Sequence, residues 1–153
     1  MRRCREYPLF LRLVSAWLPF LAWMALIYWF SDQPKLPHPG RKVGISDYLF
    51  DYSAHAFMFG MLTLWGGLVI KCTPFLARSV PLWASGGWAA LYAASDEVHQ
   101  IFVPGRWAKF SDWLADVLGV LLALGALALW RHRLAGWFVA VRRRLRKLSP
   151  DSP

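Results

Sequence analysis

From Leu13 to Phe30 the chain runs for eighteen residues without a charge, directly behind Arg2, Arg3, Arg5 and Arg12. An α-helix rises about 1.5 Å per residue, so such a run nearly crosses a hydrocarbon core about 30 Å thick. In lipid every backbone N–H and C=O must be satisfied inside the protein, which leaves helices and closed barrels as the only spanning solutions. A basic start ahead of an apolar run also describes a signal peptide. This run is long for one, and Ser31-Asp32-Gln33-Pro34 follows it instead of a small-residue cleavage pattern. Pro19 is tolerated as a kink, because neighbouring groups can satisfy the carbonyl it frees.

Three more apolar segments follow, from about Tyr52 to Ile70, from Ser79 to Ser95 and from Ser111 to Trp130. A Pro- and Gly-rich loop from Ser31 to Tyr52 separates the first two spans, and a short basic turn from Lys71 to Arg78 precedes the third. The loop from Ile101 to Phe110 carries the turn signal Pro104-Gly105. The Gly86-Gly87 pair lets the third segment approach a neighbour closely. After Arg131, residues Leu134, Trp137, Phe138, Val141, Leu145 and Leu148 fall at helical spacing among arginines, the pattern of a basic amphipathic helix on a membrane surface. The expected fold is all-α and integral to a membrane: four transmembrane helices plus a C-terminal basic amphipathic helix. Residues 1–12 form a basic N-terminus, 13–130 the four-helix domain and 131–153 a basic tail.

Composition agrees. The chain is 57% hydrophobic and 18% charged, against roughly 45–50% and about 25% in soluble domains. A net charge of +9 would suggest nucleic acid in a soluble protein. Here the bases gather at both termini and in the Lys71–Arg78 turn, where they set topology and meet anionic lipid, so no nucleic-acid partner is expected. The positive-inside rule places both termini in the cytoplasm and the other two loops outside. Cys4 and Cys72 show no metal-ligand spacing and fall on the reducing side, so neither a cofactor nor a structural disulfide is expected.

Against this apolar background, Ser95 to Gly119 concentrates Asp96, Glu97, His99, Gln100, Arg106, Lys109, Asp112 and Asp116. Three pairs are one helical turn apart: Asp51 with His55, Asp96 with Gln100, and Asp112 with Asp116. All sit at the outer ends of their spans, which predicts convergence on one shallow pocket. Glu97 and His55 are the acid/base candidates in such a partly dry site. Arg106 offers a fork suited to phosphate or carboxylate, and Asp96, Glu97, Gln100, Asp112 and His55 complete the candidate ligand-binding set. Carboxylates with His55 have the donor types for a divalent cation, but no spacing is diagnostic, so no metal is assigned. Structural roles compete with each of these: a Glu97–Arg106 ion pair closing the third and fourth helices, His55 as a hydrogen-bonded packing residue, Asp51 solvated in its loop. Asp112 is explained as an N-terminal helix residue, whereas Asp116, a turn deeper, needs a partner.

The stretch SDEVHQIFVPGRWAKFSDWLADVLG resembles the signature of the VanZ-like family of small bacterial membrane proteins. Asp96, Glu97, Gln100, Pro104, Arg106, Asp112 and Gly119 match its pattern in order and spacing, and His55 in DYSAHAFMFGML matches its second-helix histidine. The similarity covers about Leu13 to Leu129. Asp116 stands where the family usually shows Asn, so an amide role does not carry over. The resemblance implies a four-helix protein of the bacterial cytoplasmic membrane. For the member that gives the family its name, it implies an accessory role in low-level teicoplanin resistance.

Residues and resemblance together predict an accessory factor of the cell envelope, with an outer-facing polar pocket for an anionic lipid-linked or envelope component. Its expected partners are membrane lipids and a lipid-linked envelope precursor. The alternative is a membrane-embedded enzyme modifying envelope lipid or polysaccharide by acid/base chemistry, although no nucleophile elbow, phosphatase signature or metal motif is present. A proton or ion pathway is disfavoured, because the inner halves of the spans lack polar residues.

Overall fold

The computed structural model describes residues 8–34 and 46–148, with side chains described for 8–34 and 46–130. The rest of the basic N-terminus with Cys4, most of the Pro- and Gly-rich loop, and the side chains of the basic tail lie outside the described residues. Five helices follow in order: α1 (Leu9–Ser31), α2 (Asp47–Cys72), the short α3 (Pro74–Ser79), α4 (Ala84–Ile101) and α5 (Phe110–Leu148).

Among the described residues, three helices are long and apolar enough to cross a membrane: α1, α2 and the Phe110–Trp130 part of α5. Their outward faces carry large apolar side chains, among them Leu18, Phe57 and Leu122, each more than half exposed. Such faces suit a lipid environment and not water. α4 falls short of that measure. The expected third span, Ser79–Ser95, starts five residues late because Pro81 precedes it, and it continues through the polar run Asp96–Gln100 before ending at Ile101. Asp96, Glu97, His99 and Gln100 are therefore helical.

The second span also shifts. It begins at Asp47, not Tyr52, because Ser46 caps it: the Ser46 hydroxyl accepts from the Leu49 amide at 3.3 Å, and Asp47 adds an acidic residue to the first turn. Asp51 is consequently a half-buried helix residue, not a loop residue. The basic stretch after Arg131 continues α5 without a break instead of forming a separate helix. Pro19 lies within an uninterrupted α1.

Between lipid-embedded helices, packing and interhelical hydrogen bonds supply the cohesion that water-driven burial provides elsewhere. α2 and α5 pack most extensively. Their crossing uses Gly60 and Gly119: a Cβ at Gly119 would land on the Ala56 carbonyl, 2.6 Å from its carbon, and one at Gly60 would sit 3.1 Å from the Gly119 oxygen. Of the Gly86-Gly87 pair only Gly86 is at an interface, under Leu124 and Val120, while Gly87 faces open space. Midway along its length α1 is held by two long-range bonds. Trp23 Nε1 donates to the Met58 carbonyl at 2.8 Å, and the Tyr92 hydroxyl to the Met24 carbonyl at 3.0 Å. Interhelical hydrogen bonds in membranes average about 0.6 kcal/mol and reach about 1.7. Tyr92→Phe is accordingly expected to lower stability within that range, measured as thermal unfolding in detergent, with the helix bundle still assembled.

The two ends of the bundle differ in charge. At one end Arg12 Nη2 donates to the Cys72 carbonyl at 3.3 Å and Trp17 Nε1 to Thr73 Oγ1 at 3.0 Å, beside Lys71 and Arg78. The other end gathers the C-termini of α1 and α4 with the N-termini of α2 and α5, and there the acidic residues meet.

Candidate polar centre

His55 stands two turns into α2, Glu97 one turn from the end of α4, and Asp112 and Asp116 in the first two turns of α5. α2 and α5 run parallel and α4 antiparallel to both, which brings all four together. His55 Nδ1 and Asp116 Oδ1 are 2.9 Å apart, and His55 Nε2 lies 4.0 Å from Asp112 Oδ2. An ionised carboxylate can only accept, so in the bond to ionised Asp116 the proton sits on Nδ1, and in the neutral ring Nε2 then keeps its lone pair. One donor atom from each of His55, Glu97 and Asp116 lies within 4.8 Å of the others. Asp116 is fully buried, Glu97 and Asp112 are each 8% exposed, and the His55 side chain is 18% exposed. His55 is therefore the most open member of the centre.

Two carboxylate oxygens in this centre have no partner among the described residues: Glu97 Oε1 and Asp116 Oδ2. The second Glu97 oxygen accepts from the Lys109 amide at 2.9 Å, which pins the loop before α5 to the end of α4. Asp112 is held by Ser111, whose hydroxyl donates to it at 3.2 Å. Asp96 and Gln100 bond each other at 3.1 Å, both buried.

Arg106 is placed elsewhere. Val103 to Arg106 form a turn closed by the Arg106 amide donating to the Val103 carbonyl at 3.1 Å, with Gly105 at φ 81°. Proline second and a positive-φ glycine third are what a type II turn requires. The turn delivers Arg106 Nη2 to the Phe30 carbonyl at 3.0 Å, so the guanidinium satisfies an orphan carbonyl in the last turn of α1, where a cation also favours the helix dipole. The expected Glu97–Arg106 ion pair does not form; Glu97 binds a backbone amide instead. His99 joins the same attachment, its Nε2 3.4 Å from Asp32 Oδ1 and its ring over Tyr28 at a centroid distance of 4.7 Å.

The VanZ/LLP1 family model matches residues 16–131. The chain belongs to the VanZ-like family. No curated protein and no solved structure matches it. The VanZ-like region contains the whole polar centre, the Arg106 turn and the Gly60–Gly119 crossing, and it stops where the basic tail begins. Within that VanZ-like pattern the roles now divide. Pro104 and Arg106 fix the loop to α1, Gly119 permits the α2–α5 crossing, and His55, Glu97 and Asp112 meet at the centre. Sequence reasoning left Asp116 out of the candidate set, although its carboxylate one turn inside an apolar helix was the available signal. It gave no hint of the Lys109 amide, since any residue type supplies one.

Proposed function

We propose that this VanZ-like protein is an accessory factor of the bacterial cytoplasmic membrane. It binds the polar head of a lipid-linked or other envelope component at the His55–Glu97–Asp116 centre, and so alters the surface met by a glycopeptide such as teicoplanin. In this reading α4 is the fourth span, with exposed Trp88, Leu91 and Val98 toward lipid and buried Asp96, Glu97 and Gln100 toward the bundle. The basic end lies in the cytoplasm and the polar centre outside.

One observation supports the reading above the others: Glu97 Oε1 and Asp116 Oδ2 are buried without a donor. A buried acceptor left unmade costs about 1–3 kcal/mol, more when charged, so a ligand that brings donors gives those oxygens a purpose. Hydroxyl or amine groups of a headgroup would serve them. Its anionic group would meet Arg106, whose guanidinium has five N–H donors and spends one on Phe30.

A second reading has its own observation. His55 is oriented through Nδ1 by Asp116 with Nε2 left as an acceptor, the arrangement of a general base held by a carboxylate. Turnover of a labelled envelope lipid that disappears in His55→Ala would favour this enzyme over the binding factor.

The test is susceptibility to teicoplanin in a sensitive Gram-positive host, with variants expressed at matched membrane levels. Wild type is expected to protect, Glu97→Gln and His55→Ala to lose protection, and the lipid-facing Leu91→Ala to keep it. Protection that survives both centre substitutions would make the centre structural. No protection by wild type would remove the glycopeptide role.

A further inference from the structure

We infer that His55, Glu97 and Asp116 form a binding site for a divalent transition-type cation, Zn²⁺ or Mn²⁺, at the junction of α2, α4 and α5. The inference stands on side-chain placement and not on the headgroup reading: a cation on Glu97 Oε1 and Asp116 Oδ2 takes the place of the headgroup donors proposed above.

Each helix supplies one ligand, and one donor atom from each residue already lies within 4.8 Å of the other two. Ligands about 2.0–2.2 Å from a tetrahedral ion are roughly 3.3–3.5 Å from one another, so rotation of side chains closes the remaining gap without moving a helix. The residues as they stand pair His55 Nδ1 with Asp116 Oδ1 at 2.9 Å and Glu97 Oε2 with the Lys109 amide. A cation takes the place of the Nδ1 proton between His55 and Asp116, and Glu97 Oε1 and Asp116 Oδ2, buried without any donor among the described residues, are the oxygens left to meet it. The ring proton then sits on Nε2, which faces Asp112 Oδ2 at 4.0 Å, the carboxylate partner that metal-binding histidines commonly have.

Charge points the same way. Asp112 and Asp116 lie beside a single imidazole, with Glu97 completing the cluster. A dication offsets that excess more fully than one imidazole does. Asp112, 4.0 Å from His55 Nε2, orients the ring from the side away from the ion, which leaves the fourth position to water. The mixed imidazole and carboxylate set selects a metal that accepts both nitrogen and oxygen. Ca²⁺ prefers six to eight oxygens, and Mg²⁺ keeps several waters and few protein ligands.

The experiment uses the full chain purified in detergent, stripped with chelator and titrated with Zn²⁺, Mn²⁺ and Mg²⁺ by calorimetry. Co²⁺ absorption serves as a second readout of the donor set. One Zn²⁺ or Mn²⁺ per chain is expected, with Mg²⁺ at least tenfold weaker, and the bound metal should raise the unfolding temperature in a concentration-dependent way. Glu97→Gln preserves shape and the acceptor for the Lys109 amide, so it should remain folded yet weaken binding by at least tenfold and erase the Co²⁺ spectrum. Asp116→Asn, which can still accept from His55 Nδ1, should do the same. His99→Ala, at the α1 attachment, should leave affinity unchanged. Absence of stoichiometric binding to wild type overturns the inference. So does binding that Glu97→Gln and Asp116→Asn leave intact, which would identify a site in the basic tail or an adventitious ion.

Discussion

Gly119→Ala is expected to be the most damaging single-methyl change in the chain. An added Cβ there falls on the Ala56 backbone carbonyl and within 2.7 Å of the Ala56 Cα. These are backbone atoms of a packed helix and cannot swing aside as a side chain would. Overpacking a tight core usually costs about 1–3 kcal/mol; with backbone on both sides the upper end or beyond is expected, with α2 and α5 forced apart. Two other glycines provide a graded scale. Gly60→Ala meets the Gly119 carbonyl oxygen at 3.1 Å, which a shift of a few tenths of an ångström relieves, so its cost should be clearly smaller. Gly87→Ala meets nothing within 4 Å and should be neutral or stabilising by about 0.5–1 kcal/mol through helix propensity. Thermal unfolding of the three variants in one detergent should therefore rank Gly87→Ala, Gly60→Ala and Gly119→Ala from most to least stable. A Gly119→Ala protein as stable as wild type would mean that α2 and α5 do not cross at this point.

The same crossing positions the chemistry. Gly119 lies one turn beyond Asp116 on α5, and Ala56 is next to His55 on α2. Backbone contact at the glycine brings the two polar side chains to 2.9 Å. The glycine of the VanZ-like pattern thereby sets the helix separation that the His55–Asp116 bond requires. A substitution at Gly119 that still yields folded protein should lose the properties of the polar centre along with stability.

How much of this was legible in the sequence depended on the kind of signal. Charge-free runs announced α1 and the membrane part of α5, because an apolar stretch of that length has few other uses. The start of α2 was missed by five residues, since Asp47 and Asp51 read as loop while Ser46 was capping a helix that carries them inside. α4 was misplaced because its buried stripe is small and polar, with Ser85, Ala89, Ala93, Asp96 and Gln100 recurring at helical spacing. An uncharged run announced Ser79–Ser95, but hydrophobicity could not reveal that the helix carries on through Asp96–Gln100 to Ile101. The convergence of His55 with Asp112 and Glu97 followed from topology, because spans that alternate in direction bring the starts of α2 and α5 to the same side as the end of α4. The bond between His55 and Asp116 joins residues 61 positions apart, and no local spacing encodes it. The competing Glu97–Arg106 ion pair failed for a related reason: a lone guanidinium beside carboxylates suggests one, but the Pro104-Gly105 turn points Arg106 at the end of α1.

The second large effect is expected at that 61-residue link. His55→Ala leaves Asp116, fully buried, without a partner on either oxygen. Removing one member of a buried ionic or charge-assisted pair typically costs about 3–5 kcal/mol, because the survivor stays desolvated and uncompensated. Asp116→Ala should cost less, since His55 is still partly exposed and can turn outward. Asp116→Asn should cost least of the three, as its amide oxygen accepts the same Nδ1 proton while removing a buried charge. Replacing both partners, as in His55→Phe with Asp116→Leu, removes the desolvated groups altogether and should recover most of the loss. A cycle of His55→Ala, Asp116→Ala and the two together, read as unfolding temperature or detergent-denaturant midpoint, should show a coupling of about 0.5–3 kcal/mol. Additive losses would mean that the two side chains do not depend on each other. The gain from the double replacement would be confined to stability: a protein retained by selection for packing alone would be improved by it, whereas one that uses the centre should become more stable and inactive at once.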